Sequence, residues 1–462
     1  MTSNARLALS HTILEKTKIV TDHLASHNLT APSWDVDGAV DFFIPESAGE
    51  AYTARVDLIA ATKELHDLTL GPKQGLSWLS WDFINNLSLQ AIWEFLVPEF
   101  VPLTGSISFE DLTAKVVAAN GFKIGVMNLR RLIRHAMLNH IFIEPRRGFV
   151  AHMSVSRMLL EDEPMANWAG YMCRDLWKPA AHVVDAMKKW PGSEPTETVV
   201  NHAFEQSLPW YDYLQSVPEK ARRYNLAMKL HSGNEGFSVG HTVRGYAWGE
   251  LGEATVVDMG GNQGFVSFAI AEAFPKLKFV VQDTEGMRKP EAMGSMPAHL
   301  EERVTRTVHD FFEPQTVVAD VYFFRWIFHG FSDKYKIKIL RALRPALRKG
   351  AKAVINDGTL PEPLTASYLQ ERNIRTMDAF NQITVNARER EIDDWSELFR
   401  LADERYKFTG AWKPEKATCG LLRRNGPDNV YIFFNHPNTS LHKSKAKSRG
   451  SGQRRESGDV QR

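Results

Sequence analysis

Beyond residue 253, apolar runs of strand length alternate with stretches of helical periodicity. Short apolar runs bounded by turn residues predict buried strands, whereas apolar positions repeating every three to four residues predict helices. The predicted strands are 254–258, 278–283, 304–309, 318–323 and 351–357, with helices at 265–274 and 334–347. Alternation of this kind predicts a doubly wound α/β sheet, in which ligands bind at the carboxyl ends of the strands.

The first half of the chain has a helical pattern instead. Residues 1–29 mix charged and apolar positions as an amphipathic helix does and lack the features of a secretion signal. Ser108 is a candidate N-cap for a helix that stops at Gly121. A second helix from Val126 precedes two short β segments that flank the charged turn 144–148. Helix, helix and hairpin in this order predict a winged-helix arrangement.

Composition and charge set further bounds. A length of 462 residues exceeds one ordinary core and predicts two or three domains. Two cysteines, Cys173 and Cys419, are too few for a disulfide framework and fit a reducing compartment, so we expect a cytoplasmic protein. The apolar stretches fall short of the roughly 20 residues of a membrane span. The tail 441–462 carries a charge of +5, is poor in apolar residues and is predicted to be disordered.

These patterns divide the chain into five predicted parts. They are N-terminal helices at 1–60, a winged-helix-like domain at 61–160, a helical connector at 161–223, a catalytic domain at 224–440 and the basic tail at 441–462.

A glycine turn follows the first predicted strand. Gly260 and Gly264 permit a positive φ and a close backbone approach by a ligand. Asn262 stands where a dinucleotide motif has its second glycine, which disfavours a dehydrogenase. Asp283 ends the next strand, where a carboxylate can accept hydrogen bonds from both ribose hydroxyls. Together, these features predict a site for a cofactor of the adenosine type.

Four segments in chain order resemble the O-methyltransferase family related to caffeic acid O-methyltransferase, particularly its fungal natural-product members. They are DMGGNQG at 258–264, FRWIFHGFSD at 324–333, NDGTLPEP at 356–363 and NARERE at 386–391. The resemblance covers the second domain and, more loosely, the chain to about residue 435. It implies S-adenosylmethionine as cofactor, a small hydroxylated acceptor and an N-terminal domain used for homodimerisation, with the first helices exchanged between subunits.

The resemblance also implies the site residues. Arg325 takes the place of a lysine usual in the family, and Gly330 stands where Asp or Asn often follows the histidine. The implied cofactor-binding residues are Asp258, Gly260, Gly261, Gly264, Asp283, Asp310, Phe311 and Arg325. Weaker substrate candidates are Trp326, Phe380 and Thr384.

Methyl transfer to a phenol needs alignment and a base, because a hydroxyl with a pKa of about 10 is almost entirely protonated at pH 7. His329 lies beyond the fourth predicted strand and is the predicted base, since a histidine is mostly neutral at that pH. Asp357 and Glu389 match the family's acidic pair, and one or both are expected to accept from the other ring nitrogen. No metal-ligand cluster is visible in the sequence, and no metal is expected.

The predicted function is O-methylation of a small aromatic or polyketide-type secondary metabolite. A non-methylating enzyme of the same fold, retaining the cofactor for a pericyclic or rearrangement step, is the alternative, and N-methylation also stays open. Arg130, Arg131 and Arg134 of the winged-helix-like segment also suggest a DNA-binding role. The apolar residues around them and the long, enzyme-like remainder of the chain disfavour it. We expect neither nucleic acid nor membrane among the partners.

Overall fold

The computed structural model describes residues 2–233, 238–285 and 296–410, so the tail at 441–462 and Cys419 lie outside the described residues. Strands β1 to β8 are Ile107–Ser108, Phe142–Ile143, Phe149–His152, Ala254–Met259, Leu277–Asp283, Val304–Val308, Val321–Arg325 and Lys352–Asn356. Helices α1 to α18 are Thr2–Ser26, Glu50–Leu79, Phe83–Glu94, Val97–Phe100, Phe109–Asn120, Val126–Ala136, Ser154–Glu161, Glu163–Gly170, Trp177–Ala180, Val183–Lys189, Val199–Phe204, Trp210–Ser216, Pro218–Gly233, Val239–Gly245, Phe265–Ala273, Asp333–Ala342, Tyr368–Val385 and Ile392–Ala402.

Five parallel strands form the sheet of the second half, in the order β6-β5-β4-β7-β8. This confirms the predicted α/β sheet, and the strands start or end within a residue or so of the predicted bounds, with one exception. Strands β4 and β7 lie at its centre and are almost wholly buried. The glycine turn, Asp283, Arg325 and Asp357 all follow or end strands at one edge of the sheet.

Two predicted boundaries were wrong. The strand predicted at 318–323 is β7, Val321–Arg325. Asp320 precedes it, and the side chain of Asp320 accepts the backbone N–H of Thr255 at 2.8 Å. The helix predicted at 334–347 ends at Ala342 and gives way to a 3₁₀ turn, Arg344–Ala346, that contains Pro345. Proline has no N–H for an α-helical hydrogen bond.

The N-terminal half contains the predicted order of helix, helix and hairpin. Ser108 caps α5 by accepting the backbone N–H of Asp111 at 3.0 Å, and Gly121 ends it at φ 72°. Strands β1, β3 and β2 form a small antiparallel sheet beside α5 and α6. Arg134 makes two 2.7 Å hydrogen bonds to Glu144, a residue of the turn between β2 and β3. That arginine is therefore engaged within its own domain.

The segment between the two halves consists of helices. The boundary predicted between 223 and 224 lies inside the continuous helix α13. Buried Asp175 accepts hydrogen bonds from Lys220 and Arg223 of this helix, both at 2.6 Å. A buried carboxylate requires such partners, and this ion-pair group fastens α13 to the π-helical turn Tyr171–Leu176. Among the described residues, no helix is both long and apolar enough to cross a membrane.

Candidate active site

The turn after β4 packs directly on a buried carboxylate. Gly260 and Gly264 have φ values of 70° and 87°, which L side chains rarely adopt. A Cβ added at Gly261 would lie 2.5 Å from the carboxyl group of Asp258. Ser267 of α15 donates a hydrogen bond to that carboxylate at 2.6 Å. Burial raises the pKa of Asp258 to about 6. The contacts of the Asp258 carboxyl group are therefore with the glycine turn and with α15.

Asp283 is held at the end of β5 by two backbone amides. The N–H of Asn262 donates to its Oδ2 at 2.8 Å, and the N–H of Thr284 donates to its Oδ1 at 2.7 Å. Asn262 has a φ of 52°, and asparagine is one of the few residues with a side chain that visits this left-handed region routinely. The departure from the family's glycine therefore keeps the conformation of the turn.

Aromatic and apolar side chains flank the glycine turn on its other side. A Cβ added at Gly260 would lie 3.4 Å from the ring of Phe311 and 2.6 Å from Cδ1 of Ile327. Asp310, beside Phe311, accepts the backbone N–H of Phe312 at 2.9 Å. A side-chain-free turn, an anchored carboxylate and a flat aromatic wall fit the backbone, ribose and base contacts of an adenosine-bearing cofactor. The sequence did not reveal Ile327, which has no distinguishing chemistry.

Arg325 and Trp326 follow β7 as an interacting pair. The guanidinium of Arg325 lies 3.8 Å from the centre of the Trp326 ring. Its charge also opposes the rise in pKa of the two buried acids Asp258 and Asp357. Trp326 has a φ of 55°, an outlier for a bulky residue. Such strain is concentrated at binding sites, and here it precedes the turn that carries His329.

Asp357 holds this turn by its backbone. Its Oδ2 accepts the N–H groups of Phe328 and His329 at 2.8 and 3.3 Å. The other carboxylate oxygen is buried without a hydrogen-bond partner. Burial first, and the nearby charge of Glu389 second, raise the pKa of Asp357 well above its ordinary value. Of the predicted acidic pair, Asp357 thus positions the histidine through main-chain contacts.

Glu389 lies beside the imidazole ring. Its Oε1 is 3.8 Å from Nδ1 of His329, slightly too far for a hydrogen bond. Asn381 donates to the same oxygen at 3.0 Å, and Asp378 accepts the backbone N–H of Glu389 at 2.7 Å. Both residues belong to α17. Local sequence does not indicate these roles, because a helical Asn or Asp is usually a solvent-facing residue.

Burial sets the protonation of the site. It lowers the pKa of His329 to about 4, although a backbone hydrogen bond to Trp326 opposes the change. Burial, with Asp378 second, raises the pKa of Glu389 to about 8. The His329 side chain keeps 24% of its surface open. The low pKa keeps the imidazole neutral, as a general base must be, but it also makes His329 a weaker base than an ordinary histidine, so a group that stabilises the imidazolium gains importance.

The acceptor side of the site contains a tyrosine that the sequence did not indicate. A Cβ added at Gly330 would lie 3.8 Å from the hydroxyl of Tyr211. Tyr211 is 45% exposed, and burial raises the pKa of its hydroxyl. It also hydrogen-bonds to Tyr224. Tyr211 comes from α12, more than a hundred residues before His329, and local sequence carries no sign of this proximity.

The two candidates on α17 differ. Thr384 is buried and donates its hydroxyl to the carbonyl of Phe380 at 2.9 Å, so its polar group is used within the helix. Phe380 is partly buried, and its ring meets Tyr171 edge-on with centroids 6.3 Å apart. Phe380 is the better placed of the two to contact an acceptor.

Relatives settle which family has this site. A model of the O-methyltransferase domain matches residues 182–403. The chain is also 38% identical, over 416 residues, to the grayanic acid biosynthesis cluster O-methyltransferase of Cladonia grayi, covering 90% of this chain and 86% of the relative. The chain belongs to the O-methyltransferase family. This methyltransferase is 34% identical to chlorophenol O-methyltransferase of Trichoderma longibrachiatum, over 90% of the chain and 89% of the relative.

A solved structure shares the fold of this methyltransferase. OxaC in complex with SAH and oxaline matches it with a TM-score of 0.65 and 19% identity, covering 90% of this chain and 98% of that one. The predicted family, with its dependence on S-adenosylmethionine, and the predicted α/β methyltransferase fold of the second half are thereby confirmed.

Proposed function

We propose that this methyltransferase methylates a phenolic hydroxyl of a small aromatic or polyketide-type metabolite, with His329 as general base. The observation that carries the proposal is the neutral imidazole of His329, held beside Glu389 at the edge of the sheet that also bears the glycine turn. The relative whose name specifies chlorophenol shows that a phenol acceptor is within the range of similar chains.

The residues divide the work as follows. Asp283 and the glycine turn bind the cofactor, whose sulfonium supplies the methyl group. His329 accepts the hydroxyl proton at the ring nitrogen that faces away from Glu389, and Glu389 stabilises the imidazolium that forms. Asp357 keeps the turn in place through the amides of Phe328 and His329. A positioned base contributes about 10²- to 10⁴-fold, and alignment of the two substrates the larger share.

We further propose that the N-terminal half, with its winged-helix-like order of elements, mediates homodimerisation. Leu7 and Leu14 of α1 are 60% and 71% exposed, and Trp78 and Leu79 at the end of α2 are also exposed. Solvent-facing apolar side chains of this size, on two helices that pack on each other, favour a protein partner. Light scattering on the wild type and on Leu7→Glu/Leu14→Glu tests the assignment, with a monomeric wild type as the contrary result.

One assay tests the activity. The purified enzyme is incubated with S-adenosylmethionine and a panel of phenolic polyketides and aromatic amines, while acceptor mass and S-adenosylhomocysteine are followed together. We expect a gain of one methyl group with stoichiometric S-adenosylhomocysteine, on a phenol and not on an amine. A rearranged product of unchanged mass, with the cofactor unconsumed, would instead establish the non-methylating alternative.

A further inference from the structure

Three metal-ligating side chains meet in the connector, outside the candidate active site. His182, Asp185 and His202 each offer one ligand atom, and these atoms all lie within 4.8 Å of one another. His182 directly precedes α10, Asp185 is in the first turn of that helix, and His202 belongs to α11. The spacing hides the group in the sequence, because the third ligand follows 17 residues after the second.

The geometry is close to that of a metal site. Nδ1 of His182 is 3.7 Å from Oδ2 of Asp185, and the rings of His182 and His202 meet at 77° with centroids 5.6 Å apart. Two ligand atoms on a tetrahedral zinc ion are about 3.4 Å apart, given metal–nitrogen distances of roughly 2.0–2.1 Å. The side chains of His182 and Asp185 are 40% and 61% exposed. Small rotamer adjustments therefore suffice to bring the ligands together.

We propose that His182, Asp185 and His202 form a binding site for a divalent transition-metal ion of the Zn²⁺ type. Two imidazoles and one carboxylate are ligands that zinc accepts, and water completes the coordination. Lys189, at the end of α10, carries a positive charge near the proposed site. Its ammonium group lies 4.3 Å from the centre of the Trp190 ring. The Trp190 ring in turn meets the ring of His202 edge-on, with centroids 5.9 Å apart.

The site lies at the base of a loop that docks on the catalytic half. Residues 190–198 join α10 to α11, so an ion held by both helices ties the two ends of the loop together. Within the loop, Glu194 accepts hydrogen bonds from Lys334 at 2.5 Å and from Tyr335 at 2.6 Å. Asn386, just beyond α17, donates to the carbonyl groups of Gly192 and Glu194, both at 3.3 Å. Closing this loop would stabilise the docked arrangement without an ion near the reacting atoms.

The test uses the untagged full-length protein and Zn²⁺ alone. Isothermal titration calorimetry and thermal unfolding should show one zinc bound and a rise in Tm, whereas Mg²⁺, which prefers oxygen ligands, should give neither. His202→Ala should weaken zinc binding at least roughly tenfold, since the loss of a supporting residue alone typically costs about 10- to 100-fold in metal affinity. Asp185→Asn should likewise weaken zinc binding, and because Asp185 is exposed this variant should fold like the wild type.

His66 and Asp67 supply a matched control. They form an exposed pair in α2, 3.3 Å apart, that resembles the proposed site with its third ligand removed. His66→Ala should leave the zinc affinity and the rise in Tm unchanged. Equal zinc binding by the wild type, His202→Ala and Asp185→Asn would overturn the proposal, because the ion would then occupy another part of the chain.

Discussion

Oε1 of Glu389 lies 3.8 Å from Nδ1 of His329, and burial moves the pKa values of these two groups in opposite directions. The low pKa of the histidine keeps the imidazole neutral, while the high pKa of Glu389 favours a neutral carboxyl. Both shifts avoid an unpaired charge in a poorly solvated site. A positive charge that appears on the imidazole during the reaction is stabilised by Glu389 where that carboxyl group is already ionised, and the ionised fraction grows as pH rises through 8.

Replacing His329 by alanine should lower kcat by about 10²- to 10⁴-fold, because the substrate hydroxyl then loses its base. Binding of S-adenosylhomocysteine, measured by calorimetry, should persist, since the cofactor contacts lie on the glycine turn and at Asp283. As a control, His299→Ala, which replaces an exposed histidine that pairs with Glu272 of α15, should keep full activity. Loss of cofactor binding in His329→Ala would assign the histidine to binding or folding instead.

The stability of Glu389→Gln should diverge from the wild type as pH rises. The folded pKa of Glu389 is about 8 against an ordinary value of 4.5, so its contribution is fully present below about pH 4.5 and is lost as pH rises through 8. Over that interval the wild type should lose up to about 1.4 kcal/mol per pH unit relative to the variant. His329 also has a shifted pKa, but it is present in both proteins, so its titration contributes to both stability curves. Urea unfolding at several pH values measures the difference, and parallel curves would show that Glu389 is ionised throughout.

Asp283→Asn should weaken S-adenosylhomocysteine binding by roughly tenfold or more, because hydrogen bonds to a charged group are worth about 1.5–3 kcal/mol. The single amide oxygen of asparagine can accept the backbone N–H of Asn262 or that of Thr284 but not both, so the conformation of the turn has to be checked separately. Calorimetry measures the affinity, and thermal unfolding without ligand checks the fold. An unchanged affinity would place the ribose contact elsewhere.

Asn262 tests the turn itself. Asn262→Gly should bind S-adenosylhomocysteine like the wild type, because glycine adopts the φ of 52° without strain. Asn262→Val should destabilise the protein by about 1–2 kcal/mol, the cost of placing such a residue in the left-handed region. Urea unfolding compares the two variants. Equal stability of both would mean that the turn adopts another conformation in solution.

Sequence predicts the parts of this site that local chemistry encodes. The glycine turn, Asp283 and His329 follow strands whose apolar pattern fixes their place at one edge of the sheet, so their proximity can be expected. The backbone role of Asp357 cannot be predicted in this way. Nothing in the sequence around Asp357 shows whether its carboxylate accepts from the imidazole of His329 or from the backbone of the turn. Tyr211 is harder still. Its position beside Gly330 depends on how the connector packs against the sheet, which is a tertiary relationship.

Tyr211 is the residue from which we expect an effect on acceptor binding alone. Its hydroxyl lies 3.8 Å from where a Cβ at Gly330 would stand, and Gly330 is the residue after the base His329. Tyr211→Phe should raise KM for the acceptor several-fold, because a hydrogen bond contributes about 1 kcal/mol, and should leave kcat and S-adenosylhomocysteine affinity nearly unchanged. Tyr213→Phe, from the same helix but packed against Phe204, is the matched control. An equal fall in kcat would instead place the Tyr211 hydroxyl in the proton-transfer step, since an interaction made only in the transition state lowers kcat and kcat/KM together.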